Sequence, residues 1–129
     1  MNETNITRSI QLAVSKLRNV RLFRNNVGMG WAGQSNRLPS GEVIIKNPRP
    51  LHAGLCEGSS DLIGWKTITI TPDMVGKEVA VFVAVEVKTE KGRPTDGQLN
   101  FIAEVNRSGG VGFVARGADE SVRILKDGQ

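Results

Sequence analysis

Val79-Ala80-Val81-Phe82-Val83-Ala84-Val85-Glu86-Val87-Lys88 is the stretch that decides how this chain folds. Read as a β-strand, its odd positions put five valines on one face. Its even positions put Ala80, Phe82, Ala84, Glu86 and Lys88 on the other. A strand apolar on both faces belongs in a sheet covered on both sides. Burying each valine stabilises by roughly 1.5–3 kcal/mol, so an aspartate at Val83 is expected to unfold the domain. The same strand ends by setting an acid and a base side by side on one face. A buried charge without a partner is costly, so this pair calls for a counter-ion, a metal or a reaction.

Downstream, Thr95 opens a helix that runs to about Arg107 and stops at Gly109-Gly110. Val111 to Ala115 reads as a last strand and Ser121 to Lys126 as a short final helix. Upstream, Thr71-Pro72-Asp73 is a turn or helix-start signal closed by Gly76-Lys77. Asp61 to Trp65 and Thr67 to Ile70 read as two strands, or one strand bent at Gly64. Glu42 to Lys46 reads as a strand that Asn47-Pro48-Arg49-Pro50 ends. Residues 25–41 hold four glycines and no apolar period, which predicts a loop. Residues 20–24 read as a strand. Residues 4–18 read as an amphipathic helix with Ile6, Ile10, Ala13, Val14 and Leu17 inward. This order predicts one α/β domain over residues 1–129, with a central mixed β-sheet flanked by helices.

Composition narrows the function. A net charge of +4 and a pI near 9.6 suit a polyanionic partner. Four Phe, two Trp and no Tyr argue against a single-strand binder built on stacking. The apolar strand is too short to cross a bilayer, so no membrane association is expected. One cysteine, Cys56, fits a reducing cytoplasm. With a single His52 it also leaves no set for structural zinc.

The chemistry gathers at the strand end. Glu86 and Lys88 project the same way with Cα atoms about 7 Å apart, and Asp61 lies on a segment expected in the same sheet. Two carboxylates and a backbone carbonyl make an all-oxygen site of the kind hard cations such as Mg²⁺ or Mn²⁺ prefer. A nearby ammonium stabilises a developing oxyanion or, deprotonated, takes a proton from water. Phosphodiester hydrolysis uses those parts. A surface Glu–Lys pair at a frayed strand end has the same sequence, and the pattern alone leaves both readings open.

Gly58-Ser59-Ser60-Asp61-Leu62-Ile63-Gly64, then Phe82 to Lys88, then Gly92-Arg93-Pro94-Thr95 with Gln98, then Gly109-Gly110, resembles the VRR-NUC family. These are the virus-type replication-repair nucleases of the PD-(D/E)xK superfamily. The resemblance spans the first helix to the Gly-Gly strand. It implies a restriction-endonuclease-like core and a divalent-metal-dependent DNA endonuclease with Mg²⁺ or Mn²⁺ as cofactor. Asp61, Glu86 and the Val87 carbonyl would hold the metal, with Lys88 catalytic and Gln98 in support. It also implies a homodimer, branched DNA (flap or four-way junction) as substrate, and work in the cytoplasm of a bacterium or phage-infected host. Ser60 stands where the superfamily's name has proline.

Other residues carry two readings each. Thr95-Asp96-Gly97-Gln98 fits a capping box, a structural use of the same Gln98 amide. Glu3 falls in line with Ile6 and Ile10; the resemblance implies a further metal ligand on this first helix, and the alternative is an acid complementing the helix dipole. In Arg24-Asn25-Asn26-Val27-Gly28, Arg24 and Asn26 are candidate DNA contacts beside a glycine loop, or parts of a solvated turn. Lys91 and Arg93, just past the strand, are candidate DNA-backbone contacts. Two rival functions remain: a non-catalytic DNA-binding module, and an RNA or nucleotide hydrolase.

Overall fold

The computed structural model describes residues 2–127, a mixed α/β structure. The helices are α1 Glu3–Val14, α2 Asp96–Arg107 and α3 Ala118–Asp127. The strands are β1 Val20–Arg24, β2 Gly28–Arg37, β3 Val43–Ala53, β4 Leu62–Lys66, β5 Val83–Val87 and β6 Val111–Ala115, with a 3-10 turn at Pro72–Met74. The described strands pair as three two-stranded sheets, β1 with β4, β2 with β3 and β5 with β6. The chain divides into two compact units, Met1–Trp65 and Lys66–Gln129.

In the first unit, Asn2 caps α1 by accepting from the Asn5 N–H at 2.9 Å. The half-buried residues of α1 are Thr7, Gln11 and Val14, at i, i+4 and i+7. Ile6 and Ile10, expected inward with Glu3, are exposed. Strands β1 and β4 pair closely at Gly64, where a Cβ would collide with the Arg21 carbonyl oxygen. That close approach explains the glycine, and β4 continues through it to Lys66 without the bend. Residues 67–70 form no strand.

The expected loop over residues 25–41 is instead one arm of a long antiparallel ribbon. Strand β2 pairs with β3 from Gly28↔Ala53 to Arg37↔Val43. Strand β3 runs straight through Asn47-Pro48-Arg49-Pro50. Proline removes a ladder donor, but in a two-stranded sheet every strand is an edge and the loss is tolerated. The chain accommodates the segment with a bulge and with Asn47 in the left-handed region, at φ 52°.

The second unit is a β5–α2–β6 crossover. Strand β5 pairs parallel with β6, Ala84 opposite Gly112 and Glu86 opposite Val114. Val105 of α2, 1% exposed, and Ala115 of β6, 4%, are the fully buried residues of the described core. Gly110 lets the chain turn tightly under the helix, since a Cβ there would meet the Phe82 carbonyl oxygen at 2.7 Å and Val105 Cγ1 at 2.8 Å. The expected ten-residue strand is shorter, with regular pairing confined to Val83–Val87. Its burial is also reversed. Val83, Val85 and Val87 are 44%, 42% and 74% exposed, while Ala84, Glu86 and Lys88 are half-buried. Helix α2 covers one face of this small sheet; on the other, Ala115 of β6 is buried while the β5 valines stay exposed.

Candidate active site

Glu86 and Lys88 occupy the covered face. A Cβ on Gly112 would contact Ile102 of α2 at 3.3 Å, so the side of the sheet carrying Gly112 is the helix side. Register partners share a side, which puts Ala84 on it, and Glu86 and Lys88 follow at two-residue steps. Lys88 Nζ lies 3.4 Å from Glu86 Oε1, with the two side chains 21% and 29% exposed. Opposite charges about 4 Å apart attract by about 4 kcal/mol at the effective dielectric near a protein surface, before desolvation is subtracted. The pair is held in one place by the strand and by its own charge.

The Val87 carbonyl stands apart from the ladder. The Lys88 N–H donates to the Ala115 oxygen at 3.0 Å and the Phe82 oxygen accepts from the Val111 N–H at 2.9 Å. Even-numbered peptide groups of β5 therefore face β6, and odd-numbered ones face the other edge. No described strand pairs on that edge, so the Val87 oxygen is available as a hard donor beside Glu86.

Gln98 heads the α2 stripe that continues through Ile102 to Val105, the stripe facing this sheet. The capping box is present: the Gln98 N–H donates to Thr95 Oγ1 at 3.1 Å and Gln98 Oε1 accepts from the Thr95 N–H at 2.9 Å. The cap uses only the oxygen of the amide. Both N–H donors of its Nε2 remain, so the two readings of Gln98 divide between the ends of one group.

Asp61 belongs to the first unit, exposed, immediately before β4. One residue organises the loop that delivers it. The main-chain N–H of Asn25 donates to the Asp61 oxygen at 2.8 Å. Its Nδ2 donates to Ser59 Oγ at 2.7 Å and the Ser60 oxygen at 2.9 Å. Its Oδ1 accepts from the Leu55 N–H at 2.9 Å. The Ser59 hydroxyl donates in turn to the Cys56 oxygen at 2.6 Å. Asn25 is thus a positioning residue, where the sequence suggested a phosphate contact or a solvated turn; the flanking Gly-Ser-Ser was the available signal. Arg24 and Asn26 on either side of it are exposed, as is Glu3 in the first turn of α1.

Arg116, just past β6, is a second residue the sequence did not single out. Its Nη1 donates to the carbonyl oxygens of Thr89 at 2.5 Å, Glu90 at 3.3 Å and Gly92 at 2.7 Å. Its main-chain N–H donates to Glu120 Oε1. The tethered turn carries Lys91 and Arg93, and with Arg116 they line a cavity of about 670 Å³.

Among the described residues no group of three or more His, Cys, Asp or Glu comes together. Mg²⁺ does not require one, since it binds through one or two carboxylates plus water and phosphate oxygens. The candidate donors here are all hard oxygens, so the chemistry of the set fits such an ion.

The VRR-NUC domain model matches residues 8–119, most of the chain. The chain belongs to the VRR-NUC family. That makes it a nuclease of the PD-(D/E)xK type, a hydrolase, from a superfamily that generally uses divalent metals. No curated protein and no solved structure matches this VRR-NUC chain. None of its described helices is long and apolar enough to cross a membrane.

Proposed function

We propose that the chain acts as one nuclease domain, a divalent-metal-dependent DNA endonuclease selecting branched substrates such as flaps or four-way junctions. The observation that carries this reading is the Glu86–Lys88 pair at 3.4 Å on the helix side of β5, with the Val87 carbonyl on the unpaired edge. Asp61, Glu86 and the Val87 oxygen would hold Mg²⁺ or Mn²⁺, with Glu3 a further candidate ligand. When bound, such an ion polarises the scissile phosphate and lowers the pKa of a water. Lys88 orients that water and neutralises the charge that grows on phosphorus-bound oxygen as water attacks and the ester P–O bond breaks. The Nε2 donors of Gln98 steady the water or the phosphate. Arg24, Asn26, Lys91 and Arg93 grip the flanking backbone, and the protein works in the cytoplasm of a bacterium or phage-infected host.

A homodimer belongs to the same reading. The exposed valine face of β5 is a surface a second copy would cover, and a two-fold pair of sites matches the symmetry of a four-way junction.

The test is cleavage of linear duplex, flap, four-way junction and RNA with Mg²⁺, Mn²⁺ or EDTA. Metal-dependent cutting of DNA that Asp61→Ala and Lys88→Ala each lower at least about 100-fold is the expected result. Cutting that persists unchanged in either variant overturns the site, and cutting of RNA alone moves the protein to the hydrolase alternative. Junction binding without cleavage in any metal leaves the non-catalytic module. Glu86→Gln should keep the fold and lose metal affinity in titration calorimetry.

A further inference from the structure

We infer that the β2–β3 ribbon is a DNA-backbone contact arm, and that Lys46 and Arg49 meet phosphates of duplex DNA from one of its faces. This inference rests on the reading of DNA as substrate.

The ribbon is conspicuously unburied. Its strands bond only to each other, and every residue of β3 except Ile45 is exposed. A two-stranded ribbon has little to stabilise it alone, and its dimensions suit the major groove of duplex DNA.

The bulge decides which side chains share a face. Ala32 pairs with Arg49 and Gln34 with Lys46, so two steps along β2 match three along β3. On a regular strand, residues three apart point to opposite sides. Here the extra residue brings Lys46 and Arg49 to the same side, opposite Gln34 and Ala32. The distortion is built in on both strands. Asn47 takes a left-handed backbone, and a Cβ on Gly33 would lie 2.6 Å from the Lys46 carbonyl oxygen.

That face suits a phosphate backbone. Along β2 it presents Gly28, Gly30 and Ala32, which let DNA approach closely, then the neutral amides of Gln34 and Asn36. No acid lies on it. The surrounding chain has the same bias: from Thr4 to Cys56 there are eight Lys and Arg and one acid, Glu42. Residues 57–129 carry nine Lys and Arg against eleven acids. The excess positive charge of the protein therefore lies on the chain around the ribbon. A second copy docked face to face would oppose like charges, whereas a polyanion is complementary.

The experiment measures affinity for a labelled duplex across a salt series in EDTA. Each lost phosphate contact flattens the plot of log affinity against log salt by about 0.9, so Lys46→Ala/Arg49→Ala should flatten it by about 1.8 with an unchanged thermal melt. Lys46→Ala/Ser35→Lys keeps the net charge but moves the cation to the opposite face, and should be flatter than wild type by about 0.9. An unchanged slope in the first variant, or a wild-type slope in the second, overturns the arm. A wild type that binds no duplex overturns it too, as does a dimer that the first variant dissociates. A wild type that cuts DNA while the slope stays fixed loses the arm and keeps the nuclease. A flattened slope with no cutting in any metal does the reverse.

Discussion

The β2–β3 ribbon and the β5–α2–β6 crossover are built from similar materials and put to opposite use. The crossover buries Val105 and Ala115, caps its helix with Thr95 and Gln98, and confines two opposite charges to its covered face. The ribbon makes a longer ladder and buries almost nothing. Packing fixes side-chain geometry, whereas a ladder without packing fixes only the backbone. The first suits bond breaking, where small displacements matter. The second suits contact with a long, regular polyanion, where charge matters more than exact placement.

That contrast can be broken by mutation. Val105→Asp should cost more than about 4 kcal/mol and unfold the second unit, visible as a lost melting transition; a native-like melt would put the core elsewhere. Lys88→Ala should lower cleavage about 100- to 1,000-fold with the fold intact, and single-turnover assays read it directly. Asn25→Ala removes the three side-chain hydrogen bonds of the Asp61 loop and keeps the main-chain one, and should cost about 1–3 kcal/mol of local stability. Hydrogen exchange at Leu55 and the Ser59–Asp61 segment would report it. Thr95→Ala should cost about 1 kcal/mol, seen in denaturant midpoint. Val83→Asp should be the mildest, shifting stability by about 0.5 kcal/mol or less, while sedimentation shows any dimer dissociating.

The crossover was legible because its signals are local. Thr95 with Gln98 marks a helix start, Gly109-Gly110 marks a stop, and Glu86-Val87-Lys88 sits between recognisable neighbours. The ribbon was not, because a sheet exposed on both faces needs no alternation of apolar and polar residues, and its glycines and prolines read as breaks. The valine face misled for a related reason. Apolar side chains on both sides of a strand suggest two full covers, but here the three β5 valines remain exposed while their neighbour Ala115 on β6 is buried. Positioning by Asn25 and Arg116 was hidden by distance along the chain, since each serves main-chain atoms at least two dozen residues away.

Asn25 has a consequence for how this protein can change. Its main chain meets Asp61 and its amide meets Leu55, while Gly54 fits against Asn26 and Val27 where a Cβ would clash at 2.8 Å. The chain therefore departs near residue 25 and returns to the same spot near residue 55, closing the ribbon into a detour with a fixed root. Lengthening or trimming such a detour costs little, because closure entropy grows only with the logarithm of its length. The arm is an exchangeable attachment: it can be regrown or swapped for a different reach while the aspartate beyond its root stays where it is.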